Sequence, residues 1–218
     1  MSGSTSRPPL ILVNGPSSAG KTTLCRALQQ EILDPYLVVG FDDFIFMTAS
    51  RYYRGADGAR QAERDAFTAL GVEMITTSMT GAPVNVTAKF GPVFRRVLDS
   101  MAPAVRALID GGNAVIFDHV LHDSAMYESF RRSSAGLDVF TVGVVCPLDV
   151  LEARERARGD RVLGRARGLM EVVHGFCSYD VTVDTAALSP EACVAAILEA
   201  LAARGSCSPN GILAKPML

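Results

Sequence analysis

The sequence lacks a surplus of positive charge. Its 21 Lys and Arg stand against 23 Asp and Glu, a net charge of −2, which argues against a nucleic-acid partner held by a broad basic face. Five cysteines, Cys25, Cys146, Cys177, Cys193 and Cys207, show no C-x-x-C spacing and leave an odd residue over. They read as reduced thiols rather than a zinc site or a disulfide framework. Of three histidines, His119 and His122 have no third partner at metal-ligand spacing. No apolar run approaches the length of a membrane span, and the run after residues 1–9 is too short for a signal peptide. A cytoplasmic protein without a membrane partner is expected, and no internal repeat is visible.

What is present is an ordinary globular composition, 49% hydrophobic and 20% charged over 218 residues. That length suits one well-buried α/β domain. We expect residues 1–8 to be a frayed lead-in, 9–204 to form the domain, and 205–218 to be a poorly ordered tail. The stretch Gly15-Pro-Ser-Ser-Ala-Gly-Lys-Thr22 follows the apolar run Leu10–Val13 and opens a helix-forming run from Thr23, the strand-loop-helix context of a phosphate-binding loop. The backbone N–H groups of Gly15, Pro16, Ser17, Ser18, Ala19 and Gly20, where present, and of Lys21, Thr22 and Thr23 would surround a nucleotide's phosphates at the positive end of the helix. Lys21 would reach the β- and γ-phosphates, and Thr22 would place its hydroxyl on Mg²⁺.

Further apolar strand patterns occur at Tyr36–Phe41, Ala114–Asp118, Asp138–Val145 and Val181–Asp184. Helical patterns fall at about 20–33, 91–110, 123–133, 148–170 and 189–203, with Pro103 able to kink the second. Between 44 and 88 the sequence is less regular, and short helices plus a loop or hairpin through 76–87 are expected. The alternation implies a three-layer α/β domain with about five mostly parallel strands flanked by helices. In such sheets ligands sit beyond the C-terminal strand ends, which brings the loop, Asp42, Asp43 and Asp118 to one edge.

Each of these residues has a chemical task there. A carboxylate from Asp42 or Asp43 would orient an acceptor hydroxyl and take its proton as a phosphoryl group moves across. Strand alternation would let only one of them face the acceptor, with an acidic turn cap as the other's role. Asp118, closing an apolar strand, would hold Mg²⁺, in part through water. Six arginines crowd positions 154–167. Arg154, Arg158 and Arg161 would share one helix face and close over the triphosphate as a lid, whereas Arg156 and Arg167 read as a solvated face. For the acceptor, the segment from Phe44 to Phe94, with Phe44, Phe46, Met74, Met79, Val84, Phe90 and Phe94, suggests an apolar wall suited to a partly hydrophobic molecule. His119 and His122 are loop or acceptor contacts.

The chain resembles the chloramphenicol phosphotransferase family of P-loop kinase-like enzymes. The similarity rests on Leu12-Val-Asn-Gly-Pro-Ser-Ser-Ala-Gly-Lys21, Gly40-Phe-Asp42, Gly91-Pro-Val-Phe94, the Asp118 strand end, Ala157-Arg-Gly-Asp-Arg-Val162, Val172-Val-His174 and Tyr179-Asp-Val-Thr-Val-Asp184. These span roughly residues 10 to 200. The resemblance implies ATP-dependent phosphorylation of a hydroxyl on an antibiotic-like small molecule, for resistance or self-protection. It implies Asp42, rather than Asp43, as base, with Lys21, Thr22 and the lid arginines matched. The stretch 44–87 looks divergent and longer, and His119 stands where a second acidic residue is expected. A metabolic kinase of the shikimate or gluconate type and a non-catalytic ATP-binding module are the alternatives. Homo-oligomerisation is left open.

Overall fold

The computed structural model describes residues 8–53, 60–77, 84–159, 163–170 and 172–204. The proposed lead-in and tail therefore lie, apart from Pro8, outside the described residues, as do Met79 and Arg161. Five parallel strands form the central sheet: β1 (Leu10–Asn14), β2 (Tyr36–Gly40), β5 (Ala114–His119), β6 (Val139–Val145) and β7 (Val181–Asp184), in the order β2-β5-β1-β6-β7. A separate antiparallel hairpin joins β3 (Val72–Thr77) to β4 (Asn85–Phe90), with Val72 opposite Phe90.

Both faces of β1 are apolar because helices cover both. Ile11 and Val13 pack with Leu24, Cys25 and Leu28 of α1 (Lys21–Glu31) and with Val194 and Ile197 of α8 (Pro190–Ala203). Leu10 and Leu12 pack on the opposite layer with Leu98, Met101 and Val105 of α4 (Pro92–Asp110). That α4 stripe recurs at three to four residues, so its apolar side faces the sheet. The helix starts with Gly91 as cap and Pro92 at its first position, and it runs through Pro103. The other α-helices among the described residues are α2 (Phe41–Phe46), α3 (Gln61–Leu70), α5 (Ser124–Ser133), α6 (Leu148–Arg158) and α7 (Arg165–Met170), with a 3-10 turn at Ser50–Tyr52. Among the described residues no helix is long and apolar enough to cross a membrane.

Two expectations change. Asp42 and Asp43 do not end β2; the strand stops at Gly40 and the two carboxylates lie in the first turn of α2, because Phe41 turns inward to the core. The charged segment 148–170 is not one helix. Gly159 adopts φ 67° at the end of α6 and Gly164 φ 95° before α7, left-handed conformations that glycine adopts without steric cost. The nearly fully buried Glu155 then accepts hydrogen bonds from the Gly164 and Ala166 amides at 2.7 and 3.0 Å, satisfying donors at the start of α7.

Candidate active site

Strand parity sets which side chains reach the β1–α1 loop. Residues 114 and 116 of β5 face the α1 layer, and 115 and 117 face the α4 layer. By the two-residue repeat Asp118 projects toward α1, where its Oδ2 accepts a hydrogen bond from Thr22 Oγ1 at 2.6 Å. Burial raises the Asp118 carboxyl above its ordinary value, opposed by the Lys21 charge and by the Thr22 hydroxyl. His119, next in sequence, projects to the other layer. It is 2% exposed, with its ring 4.6 Å from that of Phe117. An acceptor contact was expected of His119; it is a core residue.

The loop between β1 and α1 wraps tightly. A Cβ on Gly15 would lie 2.4 Å from the Val144 carbonyl of β6, so only glycine lets the loop start so close to the sheet. Ser18 at φ 64° and Gly20 at φ 85° are both left-handed, and such turns point successive amides to one side as an anion cradle. Lys21 is 7% exposed, and its Nζ donates to the Pro16 carbonyl at 2.8 Å, across the loop.

A cavity of about 460 Å³ opens over this loop. Ser17, Ser18, Gly20, Lys21, Thr22 and Thr23 line it together with Asp42, Asp43, Asp118, Arg158 and Arg165. Asp43 also caps its own helix, its Oδ2 accepting from the Gly40 amide at 2.7 Å, so the two neighbouring carboxylates do different work. A second cavity, of about 530 Å³, shares Ser18, Gly20, Thr23 and Arg158 with the first and continues over Leu24, Ala157, Leu188, Pro190 and Cys193. Arg158 thus stands where the two cavities meet. Arg154 borders the second cavity, but its guanidinium donates to Thr185 Oγ1 and Thr185 O at 3.1 and 2.8 Å. Arg167 pairs with Glu152 rather than standing in solvent.

The expected acceptor wall is the part that fails. Phe44 and Phe94 are 8% and 0% exposed within the α4-side core. Val84 lies against Gly164 and Leu163, bordering a small separate cavity beside Glu155. Phe90 is half-buried and meets the His122 ring edge-on at 5.1 Å. Residues that line the first cavity on this side are instead Phe41, Val120, His122 and Leu169, with Val38. His122 and Arg165 carry no motif, and only their place one loop beyond Asp118 and one loop beyond α6 marks them. The His122 ring is held by burial and by the Arg165 charge down to about pKa 3, hence neutral, and its Nε2 has no hydrogen-bond partner among the described residues.

Residues 8–202 match the family model described as chloramphenicol phosphotransferase-like protein. A Mycobacterium tuberculosis protein provisionally named an O-phosphotransferase, present in strains CDC 1551 and H37Rv, is 32% identical over 188 residues, covering 82% of this chain and 75% of its own length. Among solved structures, a sugar kinase from Janibacter sp. HTCC2649 superposes with a TM-score of 0.55 at 17% identity, over 92% of this chain and 99% of its own. The M. tuberculosis APS kinase, in complex with AMPPNP and APS, gives 0.55 at 16% identity, over 90% and 99%. At such identities these two likenesses speak for the fold, a P-loop kinase fold. The chain belongs to the chloramphenicol phosphotransferase-like family, and is accordingly a phosphotransferase that acts on a hydroxyl group.

Proposed function

We propose that this enzyme transfers the γ-phosphate of Mg²⁺-ATP to a hydroxyl of an antibiotic-like small molecule, in the cytoplasm, as a resistance or self-protection activity. The observation that carries this reading is the Thr22–Asp118 pair at 2.6 Å, facing Asp42 across one cavity. A hydroxyl and a carboxylate oxygen suit Mg²⁺, which takes few protein oxygens and completes its octahedron with phosphates and water. When bound it neutralises the β- and γ-phosphate oxygens.

The residues of the chain do the rest. Lys21 and Arg158 face the transferred group, where charge spreads as the bond to the β-phosphate oxygen breaks and the bond to the acceptor oxygen forms. Asp42 takes the acceptor's proton, and ADP leaves. The second cavity, more apolar than the first, receives the nucleotide base.

An anionic acceptor, as in a metabolic kinase, would need cations on the acceptor side. Arg51 instead stacks at 5.3 Å on the Tyr52 and Phe67 rings, and Arg60 pairs with Glu63. Those engagements keep Arg51 and Arg60 from that role, whereas Arg165 borders the cavity beside His122. The test is Asp42→Ala assayed with γ-labelled ATP against a panel of hydroxyl-bearing antibiotics. We expect transfer to fall about 10²- to 10⁴-fold while nucleotide affinity persists. Full transfer in the variant would remove Asp42 from the role of base.

A further inference from the structure

Thr185 stands at the end of β7, where its amide donates to the Val145 carbonyl at 3.1 Å. Its Oγ1 is 2.8 Å from the Ala19 carbonyl of the phosphate loop and 3.1 Å from Arg154 Nη1, while Arg154 Nη2 donates to the Thr185 carbonyl at 2.8 Å. A hydroxyl has one proton, a carbonyl can only accept, and a guanidinium can only donate. The direction is therefore fixed: Arg154 donates to Thr185, and Thr185 donates to Ala19. Donation from a cation strengthens the bond that the hydroxyl passes on.

Ala19 is fully buried and sits between the two left-handed residues of the loop, Ser18 and Gly20. In a planar trans peptide the carbonyl of Ala19 and the N–H of Gly20 point in opposite directions. Holding that carbonyl toward Thr185 turns the Gly20 N–H away from it. The same bonds tie the loop to α6, which one turn later carries Arg158 to the junction of the two cavities.

We infer that Thr185 is a positioning residue for the phosphate loop, and that Arg154 acts on the nucleotide through Thr185 rather than as a phosphate ligand. The inference rests on the donor half of the proposed function, nucleotide binding at residues 15–23. The experiment is fluorescence titration of the full chain with mant-ATP and MgCl₂, alongside KM and kcat for ATP hydrolysis. Thr185→Val should weaken mant-ATP about tenfold, the effect of losing a charge-assisted relay. Thr185→Ser should bind within about twofold of the parent, because the hydroxyl alone is required. Arg154→Met should cost about threefold, and the double variant should be no weaker than Thr185→Val, since one relay is broken only once.

Wild-type affinity in Thr185→Val, or effects that multiply in the double variant, would overturn the inference while leaving the donor reading intact. Failure of the wild type to bind mant-ATP would overturn both. If Thr185→Val does not fold by far-UV circular dichroism, Arg154→Met decides through salt. A relay that touches no nucleotide charge predicts the same threefold loss from 50 to 500 mM NaCl, whereas a guanidinium–phosphate contact predicts a loss that shrinks as salt rises.

Discussion

His119 makes the fold sensitive to acid, and the size of the effect follows from its burial. The imidazole is 2% exposed, tilted against Phe117 and Phe41, and its Nδ1 has no partner among the described residues. Burial lowers its pKa from 6.5 to about 4, with the Lys21 charge acting in the same direction and a hydrogen bond at Val120 against it. Between those values the unfolded chain binds a proton that the folded chain refuses, so stability is complete above pH 6.5 and is lost as the pH falls toward 4. From pH 7.5 to 5.0 this one group removes about 2 kcal/mol, or about 1 M in the urea midpoint at an m-value of about 2 kcal/mol/M. His122, held down to about 3, acts in the same direction. Asp118, whose carboxyl is raised, acts in the opposite one. Comparing urea midpoints of the wild type and His119→Phe at the two pH values cancels both. The wild type should lose about 1 M more than the variant. Equal losses would show that His119 is not held neutral, and would refute the buried placement of its ring.

Asp118→Asn keeps a partner for Thr22 but removes a buried charge that its surroundings penalise; phosphate transfer should drop at least tenfold while the melting temperature rises. A fall in melting temperature by calorimetry would contradict the penalty. Glu155→Ala strips two amides at the start of α7 of their acceptor, costing about 1–3 kcal/mol, and hydrogen exchange should quicken first at residues 164–170. Gly143→Ala would place a Cβ 2.5 Å from the Tyr179 ring, displacing the hydroxyl that accepts from Asn14 and meets His174 Nδ1 at 2.8 Å; overpacking of this kind costs about 1–3 kcal/mol, measurable as a lowered urea midpoint.

The strand–loop–helix geometry around residues 15–22 was legible because its residues are local. A loop of eight residues with a strand before it and a helix after it carries its geometry in its own spacing, and Asp118 is marked by closing an apolar run. The strand order was not legible, since β2 and β1 both pair with β5, whose partner residues lie 78 and 105 positions further along the chain. Parity, by contrast, was available and unused. Once Asp118 faces α1, His119 must face α4, and its burial follows without any structure. For Asp42 and Asp43 the missed signal was Phe41, whose inward turn ends the strand and converts a question about strand faces into one about helix capping.

The expected acceptor wall departs from the burial of Phe44 and Phe94 for a reason that also bears on the proposed specificity. Phe44 and Phe94 looked like a wall because they are large and lie between the motifs, yet the three- to four-residue spacing that runs from Phe94 through Leu98, Met101 and Val105 is the signature of a helix burying one side. A residue bound into such a stripe is held to the core and has no freedom to meet a ligand. The groups that do border the cavity, Phe41, Val120, His122, Arg165 and Leu169, come from three segments that no spacing connects. They converge because the hairpin packs on α7, where a Cβ on Gly168 would lie 2.3 Å from the Val86 carbonyl and the Val86 amide donates to Gly164 at 3.1 Å. The hairpin therefore bears on the proposed acceptor side only indirectly, through its packing on α7. Substitutions at Val120, His122, Arg165 and Leu169 should change which acceptor is taken, whereas changes at Phe44 or Phe94 should first be felt as lost stability, about 3–5 kcal/mol for truncation to alanine.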